Sequence, residues 1–308
     1  MYPLGFAVYI TLGVTGTFMR TSILASLFFG LTTNAAMAID LAPLWDFARP
    51  DVSEQRFRAA LEKAAGDDAL ILRTQIARTY GVRKDFDGAR KLLREIEPAM
   101  GTAGPEAKVR FHLELGRTFA SATHSAKLLT SEAKAQARQE YDRALEMARA
   151  AKLDGLAIDA IHMFAFIDTA PAEQLKWGEA ALEVSLSSEQ PDARRWEASI
   201  RNNVGYALHQ LSRYDEALSQ FQKALAIRER GTNAEATRVA RWMVAWTLRS
   251  LGRSDEALQI QLSLEKDADA AGKPDQYVFE ELETLYRKAG NLSKAQHYAE
   301  RKAAASQR

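Results

Sequence analysis

The sequence has no cysteine among its 308 residues, and that absence excludes several kinds of site. Without thiols there is no disulfide framework, no thiolate-bound metal and no lipidated cysteine near the N-terminus. Glycine and proline are also scarce, at 17 and 8 residues, whereas alanine, leucine, glutamate, arginine and lysine are plentiful. These five lose little rotamer freedom in a helix, so the composition favours long helices over sheets.

The chain has no excess charge of either sign, because 41 basic residues stand against 40 acidic ones. Strong electrostatic capture of nucleic acid is therefore not favoured. Signatures of catalysis are missing too: the five histidines are scattered, and there is no GxSxG elbow and no glycine-rich phosphate loop. We expect a protein that is not an enzyme, with no catalytic residue, no metal, no cofactor and no evident small-molecule substrate.

The first 38 residues differ from the rest, since they carry one charge, Arg20, and no acid. After Met19 the chain runs through an apolar stretch at 23–31 to a small-residue site ending at Ala38, the pattern of a cleaved secretory signal. We expect translation to start at Met19, cleavage after Ala38 and a periplasmic location. The alternative is that residues 1–38 anchor the protein in the inner membrane, and membrane contact is expected only then.

One sequence unit recurs about six times in the remainder of the chain. Its clearest copies are 198–231 and 238–271. In the first of these, Gly205 and Ala217 are small enough for two antiparallel helices to approach closely, and Phe221 fills the seam between them. Less regular copies lie near residues 70–98, 109–147, 154–186 and 276–303.

With its NNVG, YDEAL and ALAIRE segments, unit 198–231 resembles a tetratricopeptide repeat (TPR) of the longer kind found in kinesin light chains and many bacterial proteins. The resemblance implies an all-α fold over residues 53–306. We expect a right-handed superhelical solenoid of about six helix-turn-helix repeats with a leading capping helix, each unit burying its apolar face against its neighbours. Residues 39–52 are then an N-terminal cap or linker, in which 44–47 either folds back over the leading helix or contacts a partner.

A second stripe on each first helix is expected to line the concave side of the solenoid. Two consecutive asparagines inside a helix cost together about 1 kcal/mol relative to alanine. A side-chain amide, however, offers both the donor and the acceptor that a peptide backbone requires. The resemblance implies that Asn203 grips the backbone of a bound peptide. The predicted groove residues are Asn202, Asn203, Tyr206, His209, Trp242, Trp246, Arg249 and Arg287.

The roles of the larger groove residues stay open at this stage. Trp242 and Trp246 form either an exposed aromatic platform or part of the core, and Tyr206 lies either in the groove or in the helix seam. Arg249 and Arg287 either pair with a ligand carboxylate or belong to a solvated helix face. The polar segment 122–132 most simply lengthens a second helix, with a lid or a docking edge as alternatives.

The sequence thus indicates a non-catalytic adaptor or scaffold on the envelope side of the cell. Its concave groove is expected to bind a peptide or a helix of another protein. The alternative is an accessory or structural subunit of an envelope enzyme or secretion complex, docking through the outer faces of the repeats.

Overall fold

The structure, a computed structural model, describes residues 39–306. The expected export signal, and the membrane anchor that is its alternative, lie outside the described residues. In the range 39–306 the regular structure is helical and no strand occurs. No helix within that range has the length and apolar character needed to cross a membrane.

Thirteen helices longer than a single turn follow one another along residues 39–306. A lone helix, α1, precedes six pairs, in which each even-numbered helix comes first and the following odd-numbered helix second. Their bounds are α1 Pro50–Leu61, α2 Gly66–Val82, α3 Phe86–Ile96, α4 Pro105–Arg117, α5 Ser131–Ala150, α6 Asp154–Met163, α7 Pro171–Ser187, α8 Glu197–Gln210, α9 Tyr214–Arg228, α10 Ala234–Ser250, α11 Ser254–Ala270, α12 Gln276–Lys288 and α13 Leu292–Ala305.

Each helix packs against the next one along the chain, so the pairs stack in sequence order. First helices of consecutive pairs also contact one another: α2 contacts α4, α4 contacts α6, and α10 contacts α12. Contacts of this kind place the first helices along the shorter, concave side of the stack. The expected all-α solenoid of six repeats with a leading helix is confirmed.

Close approach within a pair depends on glycine at two equivalent positions. A methyl group on Gly205 of α8 would lie 2.8 Å from Cε1 of Phe221 in α9. In the pair α4–α5, Gly116 faces the ring of Tyr141 in the same manner. Both rings are completely buried, so they cannot move aside. The seam that the sequence predicted at Gly205 and Phe221 is therefore present.

The turn inside four of the six pairs contains one residue with left-handed backbone. These residues are Lys84, Ser212, Gly252 and Gly290, with φ of 67°, 59°, 80° and 75°. Glycine adopts this conformation freely, whereas other residues are strained in it. The turn thus has the same left-handed geometry at Lys84 and Ser212, where no glycine is present.

The predicted lengthening of the second helix by residues 122–132 is wrong for most of that segment. Helix α5 begins only at Ser131, after Thr130, whose hydroxyl accepts a hydrogen bond from the amide of Ala133 at 3.2 Å. This capping bond satisfies a backbone amide in the first turn and fixes the N-terminal boundary of α5 at Ser131. Residues 118–130 instead form a loop with one 3-10 turn at Ala126–Leu128, and part of the loop reaches the concave side.

The N-terminal segment folds back on the first helices. Leu44 and Trp45 pack against the cluster of Phe57, Leu72 and Ile76, and the rings of Trp45 and Phe57 meet edge to face at 5.0 Å. The segment thereby covers apolar surface of the first helices, at the N-terminal end of the repeats within residues 39–306.

Candidate functional site

Two positions, three residues apart, recur on the concave side of the first helices. We call them the inner row. From α2 to α12 they hold Gln75/Arg78, Glu114/Arg117, Asp159/His162, Asn203/Tyr206, Met243/Trp246 and Glu281/Thr284. Side chains of adjacent pairs are in contact with one another. The contacts are Arg78 with Glu114, Arg117 with Asp159, His162 with Asn203, and Tyr206 with Trp246. The first half of the row holds four charged side chains and is called the charged half. The second half holds the rings of Tyr206 and Trp246, which pack with Trp242 and His209 beside them, and is called the aromatic half.

The charged half of the inner row is a buried network. Arg117 donates to Glu114 Oε1 at 2.6 Å and to Asp159 Oδ1 at 2.5 Å. Nη1 of Arg78 lies 3.5 Å from Glu114 Oε1 and 3.9 Å from Asp159 Oδ2. The four side chains are at most 15% exposed, so water screens them little. Two cations and two anions balance, which makes the burial of all four possible.

Burial and charge act against each other on the protonation of these groups. Burial disfavours the charged form of Asp159, but Arg117 and Arg78 outweigh that effect and hold the pKa of this carboxyl below its usual range. Burial lowers the pKa of His162 to about 4, against the opposing influence of Asp159. At neutral pH Asp159 is therefore ionised next to a neutral imidazole.

Two polar atoms of the inner row have no partner among residues 39–306. One is Oε2 of Glu114, a side chain that is 2% exposed, and the other is Nε2 of His162. The amide nitrogen of Asn203 lies 3.5 Å from Nδ1 of His162. Because an amide nitrogen only donates, Nδ1 is the acceptor and the proton of the neutral ring is on Nε2. The site thus offers one buried acceptor and one buried donor.

A cavity of about 90 Å³ lies against this network. A single water needs only about 10–15 Å³ of such space, so the cavity is large enough for part of a side chain. Apolar and aromatic groups form much of its wall, and the loop after α4 contributes Ser121 and Thr123. The apolar lining residues are Phe47, Ala77, Gly81, Val82, Ala122, Met163, Phe166 and Trp196.

A second cavity, of about 180 Å³, adjoins the first and is bounded by the N-terminal segment. Phe47, Arg78, Asp159 and Trp196 line both cavities and form the partition between them. The ring of Phe47 stacks on that of Trp45, at 4.3 Å between centroids and 3° between planes. The chain's own N-terminal segment therefore reaches into the concave side and divides its open space.

The aromatic half of the inner row is packed rather than open. Trp242 and Trp246 are 3% and 6% exposed, and their rings stack at 5.7 Å. His209 covers Trp246 at 3.4 Å between centroids, while Tyr206 stacks on it at 6.0 Å. Trp242 and Trp246 therefore belong to the core and do not form an exposed platform, because neighbouring helices cover each indole. Tyr206 alone of these four is partly exposed.

His209 is buried, and Nε2 of its ring lies 2.9 Å from the hydroxyl of Ser250. Burial, with a smaller influence of Arg249, lowers the pKa of this histidine to about 4. Asn202 is 9% exposed and lines a small cavity beside α9 and α10. Neither side chain faces the open part of the concave side, although the sequence pattern placed both in the groove.

The two predicted groove arginines have partners within the protein. Arg249 makes a forked ion pair with Glu281, at 2.7 and 2.9 Å, and Arg287 pairs with Glu283 at 2.9 Å on an exposed helix face. Burial raises the pKa of Glu281 in spite of Arg249. With Asn203 partly exposed beside His162, the residues of the predicted groove that stay at least partly accessible are Asn203, Tyr206, Arg249 and Arg287.

Sequence reasoning missed the charged half of the inner row. Arg78, Glu114, Arg117, Asp159 and His162 were not predicted as site residues. Within residues 39–306 there is no group of three or more histidines and acids that could hold a metal ion. The arrangement can supply hydrogen bonds, an apolar cavity and cationic faces for aromatic rings.

Comparison with known proteins agrees with this geometry. A family model described as tetratricopeptide repeat matches residues 196–263, which cover α8, α9, α10 and most of α11. The apo form of RapI is 14% identical with a TM-score of 0.61, over 82% of this chain and 69% of that one. A Rap protein complexed with competence and sporulation factor is 14% identical with a TM-score of 0.52, over 84% and 72%. No curated protein matches the chain.

Identities this low show a common fold and nothing finer. The fold and the inner row define a helical-repeat solenoid in which consecutive helix pairs share one extended core. Residues 196–263 match the tetratricopeptide-repeat model, and this match together with the fold supports a TPR repeat protein.

Proposed function

We propose that this chain is a non-catalytic adaptor that binds an extended segment of another protein on its concave side. The observation that supports this is Glu114, whose nearly inaccessible carboxylate has one oxygen without a partner beside a cavity. A peptide N–H complements that oxygen, and a peptide carbonyl complements the Nε2–H of His162. An unmatched buried polar group costs about 1–3 kcal/mol, so a ligand that matches both relieves a cost present in the free protein.

The alternative, docking of the outer faces as an accessory subunit, has less support. The large apolar side chains most exposed within residues 39–306 are Leu128, Leu186, Leu211 and Leu292, and each lies on a different element. A stable interface buries about 1,200–2,000 Å² around an apolar centre. Scattered leucines do not provide such a centre, and the observations therefore favour the concave side.

The structural relatives support ligand binding only in general terms. One of them, a Rap protein of the same fold, was solved in complex with competence and sporulation factor. For the present chain we take from this only that such a solenoid can hold a ligand. The side chains of the inner row indicate the chemistry of that ligand.

We also propose that the protein is exported, with residues 1–38 either removed after Ala38 or retained as an inner-membrane anchor. The composition of that segment supports both forms. N-terminal sequencing of the protein recovered from cell fractions distinguishes them. A start at Ile39 in the periplasm indicates cleavage, and retention in the membrane indicates an anchor. Protein confined to the cytosol with an intact segment contradicts both.

The binding proposal is tested by filling the cavity. Gly81 lines it and has nothing within 4 Å of where a Cβ would lie, so Gly81→Leu introduces a side chain there whose Cβ meets no neighbouring atom. Gly101 has equally open surroundings but does not line the cavity, and Gly101→Leu is the matched control.

Peptides selected from a random display library on the full chain are titrated against the wild type and both variants. We expect Gly81→Leu to weaken binding at least about tenfold, equivalent to about 1.4 kcal/mol, and Gly101→Leu to leave it unchanged. Binders that are indifferent to Gly81→Leu, or no binders at all, contradict the proposal.

A further inference from the structure

An aromatic pair from the chain's own N-terminus occupies the concave side next to the buried network. The rings of Trp45 and Phe47 stack in parallel, and the guanidinium of Arg78 lies 5.6 Å from one ring centre and 5.7 Å from the other. Trp45 has extended backbone, with φ −83° and ψ 132°. The chain turns at Phe47, and both rings lie against the guanidinium of Arg78.

The two rings are held to different degrees. Trp45 donates from its indole nitrogen to Gln75 Oε1 at 3.1 Å and packs against the fully buried Phe57. The next residue, Asp46, is fixed through its amide to the hydroxyl of Ser53 at 2.6 Å. Phe47, in contrast, is not among the residues that pack on the apolar clusters. Trp45 is thus anchored, while Phe47 is placed mainly by stacking and by Arg78.

Phe47 also determines how much of the site is open. It is one of the four residues of the partition between the cavities of about 90 and 180 Å³, so its removal opens part of that partition. The surroundings that receive its ring are an arginine face and the aromatic side chains of Phe166 and Trp196. Such surroundings favour another aromatic ring over a charged or small side chain.

We propose that the concave site between α2, α4 and α6 recognises an extended partner segment bearing an aromatic residue. In the free protein Trp45-Asp46-Phe47 fills the aromatic part of the site, and the partner's segment takes the place of Phe47. This inference rests on the proposed function and specifies the ligand: its aromatic ring takes the position of Phe47 beside Trp45 and Arg78, and the adjacent backbone meets Glu114 Oε2 and the Nε2–H of His162.

The probe is a fluorescently labelled peptide that copies residues 40–48, Asp-Leu-Ala-Pro-Leu-Trp-Asp-Phe-Ala. A tethered segment competes at an effective concentration in the millimolar range, so the full-length wild type is expected to bind the free peptide weakly. Full-length Phe47→Ala leaves the place open, and we expect its affinity in fluorescence anisotropy to rise at least about tenfold. A peptide in which both aromatic residues are replaced by alanine is expected not to bind.

Addition of Gly81→Leu to Phe47→Ala locates the binding, because the extra side chain fills the same cavity and should abolish the gain. Circular dichroism verifies the fold, and Phe47→Leu serves as a milder variant should Phe47→Ala unfold. A folded variant that binds the peptide no better than the wild type overturns the inference. If library-selected peptides still respond to Gly81→Leu in that case, the aromatic specificity fails while the proposed function stands.

Discussion

The guanidinium of Arg78 lies 5.7 Å from the ring centre of Phe47, and so one side chain connects the N-terminal segment with the buried network. The same guanidinium approaches Glu114 and Asp159 on two further first helices. Three successive repeats and the segment before them therefore meet at one arginine. A ligand that displaces Phe47 changes the surroundings of a charge that the core of the site depends on.

Removal of the central cation of the network is expected to destabilise the fold. Arg117→Met leaves Glu114 and Asp159 to the more distant Arg78, at 3.5 and 3.9 Å, and breaking a buried ion pair from one side costs about 3–5 kcal/mol. Chemical denaturation at pH 7 measures the loss. Arg143→Met is the control, since the side chain of Arg143 is 48% exposed and its removal should cost less than about 1 kcal/mol. Equal effects would mean that the network is solvated.

Alanine at two glycines of first helices is expected to have opposite effects. Gly205→Ala pushes a methyl group against the buried ring of Phe221, and overpacking of this kind costs about 1–3 kcal/mol. Gly81→Ala meets open space and should stabilise the protein by roughly 0.5–1 kcal/mol through helix propensity. Thermal unfolding of the two variants tests the seam, and a stabilised Gly205→Ala would refute it.

Glycine in place of Ser212 is expected to stabilise the protein. Ser212 has φ 59° in the turn between α8 and α9, where a residue with a side chain is strained by about 1–2 kcal/mol. Greater freedom of glycine in the unfolded chain offsets part of this, leaving a gain of about 0.5–1 kcal/mol. The midpoint of urea unfolding should rise. A lower midpoint would show that the turn does not require a left-handed residue.

The stability is expected to fall in mild acid partly through His209. Its pKa is about 4 in the fold and 6.5 in an unperturbed chain. Between these values the unfolded chain binds a proton that the folded chain does not, so the free energy of unfolding decreases as the pH falls from 6.5 to 4. His209→Gln should reduce the decrease between pH 7 and 5 by about 1–2 kcal/mol. Parallel curves for variant and wild type would contradict this assignment.

Local periodicity in the sequence predicted the architecture and the contact of Gly205 with Phe221, because each repeat has the same spacing of small and apolar residues. The charged half of the inner row was beyond such reasoning. Arg117 and Asp159 are 42 residues apart, and on its own helix each looks like a solvated charge. Only the stacking of α4 on α6 brings them together and removes the water between them.

For Trp242 and Trp246 the sequence predicted the position on the helix but not the exposure of the side chains. Spacing along α10 placed Trp242 and Trp246 on one stripe but left their exposure undecided. What covers them comes from other helices: His209 lies over Trp246, and the carbonyl of Tyr277 accepts the indole N–H of Trp242 at 3.3 Å. The binding role predicted for Asn203 stays a prediction, and its position beside His162 makes Asn203→Ala a useful companion to the cavity variants.

The central claim, that a partner binds on the concave side, is tested most directly by photo-crosslinking. A benzoyl-phenylalanine is placed at Phe166, in the wall of the cavity, or at Leu186, 53% exposed on the second helix α7. Each full-length protein is irradiated in an extract of the cells that make it. We expect a crosslinked partner from position 166 and none from position 186. The reverse result would contradict the account and assign the interface to the outer face of the repeats.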